Sequence, residues 1–313
     1  DKFCNKKGIK MRNLLVFPGQ GSQFIGMAKD FNDNFSIAKS IFEEIEDHTH
    51  INIRDIIFNN HNNELNLTQF TQICIFATSY VIFKTYVSEN DFNLDNIKIM
   101  MGHSLGEYTA LVCSNKINLK DCSLILKKRG ELMNNAVPPN ETGMAALIGK
   151  DSHQVQKIIN TNKLDIEIAN DNSNMQIVIS GSKDSIIKSK EIFLDNSIKR
   201  FVELNVSAAF HSKYMLKAQN ELSKEIQKLN FNENNIKIIS NYDAEAYNTT
   251  LSIKKNLQNQ MANKVNWTES IKKLEKLGEK NIIEIGPNKV LSGLISRISK
   301  NFDIKSINQI SDL

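Results

Sequence analysis

Short apolar runs alternate along this chain with longer stretches in which apolar residues recur every three or four positions. "NLLVF" (13–17) reads as a buried strand that stops at Pro18, where "PGQGSQ" forms a loop with two glycines. A helix is predicted from Met27 to Glu46. Residues 67–88 are apolar nearly all round, as in a helix packed deep in a core, and "IKIMM" (97–101) is a second short strand. Asn118 can cap a helix that runs to Asn135, before the break that Pro138-Pro139 imposes. Its apolar positions Cys122, Ile125, Leu126 and Met133 form one stripe, and Arg129 falls on that same stripe.

The period shortens between Gly143 and Leu204. A strand (143–149), a helix (152–162), two strands (164–170 and 176–181), a helix (183–196) and a strand (199–204) follow in the order β-α-β-β-α-β of a ferredoxin-like unit. After the loop "NVSAAFHSKYM" come a helix to Leu229, a strand at 236–240, a helix at 251–262, the strand "NIIEIGP" and a last long helix. Strands alternating with helices imply a mainly parallel sheet. The expectation is an α/β protein: an α/β-hydrolase-like domain of residues 13–138 and 205–313, a ferredoxin-like subdomain inserted at 139–204, and a lead-in at 1–12.

Composition narrows the function classes. With 41% hydrophobic and 24% charged residues in 313, the chain suits an ordinary soluble globular protein, and no stretch approaches the roughly 18 continuous apolar residues of a membrane helix. A net charge of +4, spread along the chain, does not imply nucleic acid as a partner. Cys4, Cys74, Cys113 and Cys122 make neither a CxxC pair nor a cluster with His, so no zinc site or disulfide framework is expected. The basic lead-in "DKFCNKKGIK" reads as a leader remnant or an added boundary, and the abundance of Asn, Lys and Ile suggests an AT-rich genome.

Gly102-His103-Ser104-Leu105-Gly106 fits G-x-S-x-G between a predicted strand and a predicted helix, the context in which that pattern carries a nucleophile. The glycines permit a tight turn, the serine hydroxyl is exposed, and the Leu105 N–H at the helix start can bind an oxyanion. The alternative is a glycine-flanked helix cap without chemistry. The serine needs a base. His48, His50, His61 and His153 lie in polar stretches and His103 is inside the turn, leaving His211 as the candidate beside the alternative of a structural histidine. Asp243 follows His211, the reverse of the α/β-hydrolase order, so a backbone carbonyl is the other candidate for orienting the imidazole. Arg129 has two readings: an ion pair with a core carboxylate, or a grip on a substrate carboxylate. The loop at Gln20 matches no phosphate-binding pattern and is better placed to supply a second oxyanion donor through its N–H.

The blocks "VFPGQGSQ", "GHSLGEYTALVC", "KKRGELM", "VSAAFHSKYM", "VNW" and "EIGPNKVL", in this order, resemble the malonyl-CoA:acyl carrier protein transacylases of type II fatty acid synthesis, from about Asn13 to about Asn308. The resemblance implies ping-pong transfer of malonyl from coenzyme A, through Ser104, to the phosphopantetheine thiol of an acyl carrier protein. It implies that His211 is the base, Arg129 holds the malonyl carboxylate, Gln20 and Leu105 N–H form the oxyanion hole, the Gln260 carbonyl orients His211, and Asn170 lines the site. Phe210 stands where bacterial members commonly have Ser, similar to malonyl-selective polyketide acyltransferase domains, so exclusion of a 2-methyl group is expected. Asn263-Lys264 replaces the family's Asn-Pro. Malonyl-CoA and carrier protein are then the partners, with coenzyme A thioester as substrate, no bound cofactor or metal, no membrane, and a monomer. The expected compartment is a plastid-type organelle (apicoplast) of an AT-rich eukaryote, with a bacterial cytoplasm as the alternative. Two other functions compete: a hydrolase of an acidic thioester, and an inactive acyltransferase-like docking subunit.

Overall fold

The computed structural model describes residues 13–313; the lead-in at 1–12, Cys4 included, lies outside the described residues. In chain order the first half of the larger unit comprises β1 (Asn13–Phe17), α1 (Lys29–Asn34), α2 (Ser36–Thr49), α3 (Ile53–Phe58), α4 (Thr68–Glu89), β2 (Ile97–Gly102), α5 (Gly106–Cys113) and α6 (Leu119–Asn134). The inserted unit holds β3 (Thr142–Ile148), α7 (Ser152–Thr161), β4 (Ile166–Ser173), β5 (Gln176–Ser182), α8 (Lys183–Asp195) and β6 (Arg200–Glu203). The larger unit resumes with α9 (Leu216–Lys228), β7 (Lys237–Ile239), β8 (Ala246–Tyr247), α10 (Thr250–Gln260), α11 (Trp267–Lys276), β9 (Asn281–Ile285), α12 (Val290–Ile298) and β10 (Asp303–Ile307).

The fold class is the expected α/β arrangement. One sheet has the order β10-β9-β1-β2-β7-β8, with every pairing parallel except β7 to β8. The other is antiparallel in the order β4-β5-β3-β6, the strand order of a ferredoxin-like unit. Alternation along β1 divides the larger core. Leu15 and Phe17 face the helical side with α4, whereas Leu14 and Val16 pack with Trp267, Ile271, Leu291 and Leu294 on the other. Leu147, Val155, Ile179 and Phe193 fill the separate core of the small unit.

Several expectations need correction. The helix predicted from Met27 to Glu46 is two helices, because Phe35 adopts an extended backbone (φ −127°) that sets its ring 6.2 Å from that of Phe31. The final helix is not long: α12 has nine residues, and β10 follows as an edge strand whose side chains alternate between exposed and shielded. A further helix, α11, stands where no element was expected, and Trp267, Ile271 and Leu274 give it a buried stripe. Finally, α4 does reach the length and mean hydropathy (1.2) of a membrane span; 78% of that window is buried inside the protein, which makes it the central core helix.

The turn between β2 and α5 depends on two glycines. A Cβ on Gly102 would run into the Gly106 carbonyl, and one on Gly106 would run into the Phe17 carbonyl at the end of β1. Neither obstacle is a flexible side chain. Gly106→Ala is therefore expected to destabilise the fold by about 3 kcal/mol or more in chemical denaturation, whereas Gly293→Ala, at an open position inside α12, changes stability by less than about 1 kcal/mol.

Candidate active site

The elbow places Ser104 at the carboxyl end of the central strands, the usual position for a site in an open α/β sheet. Its backbone is left-handed (φ 54°), a state that costs a non-glycine residue about 1–3 kcal/mol and persists only where the surroundings enforce it. Asn241 does the enforcing. Its Oδ1 accepts the Ser104 N–H at 2.6 Å, and its Nδ2 donates to the Gly102 carbonyl at 2.7 Å, so one side chain ties both limbs of the turn. The Leu105 and Gln20 amides find no hydrogen-bond acceptor among the described residues, and both residues line the cleft in front of Ser104.

His211 arrives from the loop that leaves the small sheet. Thr142 Oγ1 accepts the Ala209 N–H at 3.0 Å and Ser180 Oγ donates to the Phe210 carbonyl at 2.6 Å, so strands β3 and β5 hold this loop against the elbow. His211 Nε2 lies 2.9 Å from Ser104 Oγ, and its Nδ1 faces the Gln260 carbonyl at 3.1 Å and the Asn263 carbonyl at 3.0 Å. Carbonyls only accept, so the ring proton sits on Nδ1 and Nε2 is the free base facing the hydroxyl. Burial, followed by the neighbouring positive charge of Arg129, pushes the imidazole down to about 3, against the pull of the two carbonyls. The ring is a neutral acceptor at ordinary pH. Asp243 makes no hydrogen bond to it; that carboxylate accepts the Glu245 N–H instead.

Arg129 is 1% exposed. Its Nη1 donates to Gln72 Oε1, while Nη2 donates to Gln260 Oε1 at 2.9 Å and to Ser104 Oγ at 3.1 Å. Its guanidinium also stacks 5.4 Å from the centre of the Tyr108 ring. No carboxylate makes an ion pair with it among the described residues, and its Nε has no hydrogen-bond partner there. Burial pulls its pKa below the usual arginine range, but the group starts so high that it keeps its charge. A buried cation held by neutral oxygens beside a nucleophile suits an incoming anion.

These residues share one cleft of about 140 Å³, whose wall includes Gln20, Ser104, Leu105, Arg129, Asn170, Phe210 and His211. Gln260 lies behind it, reaching Arg129 with its side chain and His211 with its carbonyl. Sequence reasoning missed Gln72, Asn172, Asn241, Asn263 and Glu107. Gln72 carried the same signal as Arg129, a polar residue on an otherwise apolar helix. Asn172 Oδ1 accepts from His103 Nε2 at 2.7 Å, and nothing local in the sequence pointed to it. Glu107 stands in the first turn of α5, where an acidic residue is ordinary, yet it is fully buried.

Residues 14–311 match the model of the acyl transferase domain. The chain is 36% identical to the malonyl CoA-acyl carrier protein transacylase of Bacillus subtilis over 291 residues, covering 91% of this chain and 90% of the relative. An acyl carrier protein S-malonyltransferase of Vibrio cholerae superimposes with a TM-score of 0.90 at 32% identity, over 96% of this chain and 98% of that one. A malonyl-transacylase solved in complex with its type II PKS acyl-carrier protein gives a TM-score of 0.91 at 30% identity, over 96% and 97%.

The depressed His211 has a consequence for stability. Between its unfolded value of 6.5 and its folded value of about 3, the unfolded chain takes up a proton that the folded chain refuses, so stability is lost as pH falls through that window. His103 is shifted in the same direction by burial. The unfolding free energy should therefore drop as pH falls from about 6.5 towards about 3, and His211→Gln should make that slope shallower in urea titrations.

Proposed function

This chain belongs to the acyl transferase domain family, and on that premise we propose that its cleft transfers malonyl from malonyl-CoA to an acyl carrier protein through a malonyl-serine intermediate. The carrying observation is Arg129: a buried guanidinium, unpaired with any described carboxylate, 3.1 Å from the Ser104 hydroxyl. An acyl group attached at Ser104 whose far end bears a carboxylate satisfies that charge; a simple fatty acyl or acetyl group leaves it unmet.

The first half-reaction begins with Ser104 Oγ attacking the thioester carbonyl while its proton passes to His211 Nε2. The resulting oxyanion lies toward the amides of Gln20 and Leu105. Collapse of the tetrahedral species breaks the carbon–sulfur bond, and the departing coenzyme A thiolate takes the proton from His211. The second half reverses the sequence: the carrier's phosphopantetheine thiol gives its proton to His211, attacks the malonyl ester, and Ser104 leaves with that proton. The Gln260 and Asn263 carbonyls keep His211 in the required tautomer throughout. No redox or electrophilic cofactor enters this cycle; coenzyme A is a substrate and product. Phe210 is buried against the cleft and would crowd a substituent on the malonyl C2, which favours malonyl over methylmalonyl.

The finer biological setting is part of the same reading. A monomer is the working unit in this reading, because Ser104 meets both His211 and Arg129 without a residue from a second copy. The relatives named above are bacterial, which fits a bacterial cytoplasm, while the Asn-, Lys- and Ile-rich composition supports an organelle of an AT-rich eukaryote, an apicoplast among them. Imaging the tagged full-length protein in its own cell decides between the two.

Mixing the protein with malonyl-CoA should add one malonyl group to the intact mass, mapped to Ser104, and Ser104→Ala should abolish it. Carrier protein should then discharge the acyl-enzyme faster than water does; rapid release of free malonate indifferent to the carrier would establish a hydrolase instead. Arg129→Ala should lower the preference for malonyl over acetyl by about ten- to a hundredfold in kcat/KM, the equivalent of about 1.5–3 kcal/mol for a charge-assisted contact.

A further inference from the structure

Glu107 is a fully buried carboxylate directly beneath the elbow, and the chemistry described so far makes no use of it. Three donors converge on it: the Tyr247 hydroxyl at 2.6 Å on Oε1, and the Gln260 Nε2 at 2.7 Å and the Asn241 N–H at 3.1 Å on Oε2. Two of these partners belong to the site. Gln260 Oε1 accepts from Arg129 Nη2, and Asn241 Oδ1 accepts from the Ser104 N–H.

The direction of the Gln260 amide is fixed by this arrangement rather than assigned by choice. Arginine has only donors, so the amide must turn its oxygen to Arg129. Its nitrogen then needs acceptors behind, and finds Glu107 Oε2 and the Ser104 carbonyl at 3.0 Å. Without the carboxylate the amide loses its shorter anchor and gains freedom to swing. A nitrogen facing the guanidinium would set donor against donor.

We propose that Glu107 is a positioning residue for substrate selection: by holding the Gln260 amide with its oxygen toward Arg129, it keeps the guanidinium aimed at the acyl carboxylate. It touches neither substrate nor reacting atoms. It acts as a hydrogen-bond acceptor, with its negative charge separated from the incoming carboxylate by the neutral Gln260 amide. This inference rests on the malonyl-transfer reading above.

Three substitutions test it, with the malonyl-to-acetyl ratio of kcat/KM as the readout. Any general disturbance of the elbow slows both substrates alike and cancels in that ratio. Glu107→Met removes the acceptor at similar length, and Glu107→Asp keeps the charge but withdraws it from Gln260. Both should lower the ratio about tenfold or more, with the malonyl KM rising more than kcat falls. Glu107→Gln can offer its oxygen to Gln260 and Asn241 while its nitrogen meets the Tyr247 hydroxyl oxygen, so it should keep the ratio within about threefold of the wild type. If Met fails to fold, the Asp and Gln pair carries the same contrast. A ratio unchanged in the Asp variant, or lowered equally by Gln, overturns the proposal while the malonyl-serine mass on the wild type stands. Absence of that mass on the wild type overturns both readings.

Discussion

The architecture hangs on a close backbone approach, the point where the end of β1, the end of β2 and the start of α5 come within contact of one another around Gly102 and Gly106. With no Cβ on either residue, the chain can reverse in three residues and drive Ser104 into a left-handed backbone. That conformation is unfavourable for serine and would relax in a looser turn. Asn241, just past the end of β7, supplies the opposing hold by bonding both the Ser104 amide and the Gly102 carbonyl. The strain and its restraint thus come from segments more than a hundred residues apart, which is why the hydroxyl presented to the cleft depends on the whole sheet and not on the turn alone.

The same long-range character governs the electrostatics. Burying an arginine costs several kcal/mol unless its donors are satisfied. Here Gln72 from α4, Gln260 from the end of α10 and the Ser104 hydroxyl satisfy donors without cancelling charge. The face of Tyr108 covers the plane of the guanidinium. Positive potential is therefore conserved inside the protein, and it adds to the larger effect of burial in keeping the His211 ring neutral and ready to accept a proton.

Much of this was readable from the chain. Pattern alone gave the strands of the larger sheet other than its two edge strands, the β-α-β-β-α-β order of the insert, and α6 with its Asn118 cap, whose side chain accepts the Asp121 N–H at 2.8 Å. Arg129 announced itself by standing on an apolar stripe, because a charged residue in such a position must have a partner. Apart from α11, a ten-residue helix with a buried stripe, the elements that escaped were short or at the margins: α3 has six residues, β8 has two, and β10 pairs along one edge only. Asn241 and Asn263 escaped for another reason. Their contributions run through a side-chain amide and a main-chain oxygen that act on residues distant in sequence, and nothing in their local pattern separates them from the many asparagines on the surface.

The absence of an acid behind His211 among the described residues follows from the same balance of charge. In a triad the carboxylate stabilises the imidazolium, but it also places a second negative charge in a small cleft. A site whose acyl group carries its own carboxylate would set those two charges against each other and would offer Arg129 a competing partner. The Gln260 and Asn263 carbonyls orient the ring with dipoles alone. Glu107 lies one amide beyond the guanidinium, held by Tyr247, Gln260 and Asn241, and makes no ion pair with it. The cleft keeps a net positive end at Arg129 and a neutral base at His211, and that division lets one site hold an anionic acyl group while moving a proton beside it.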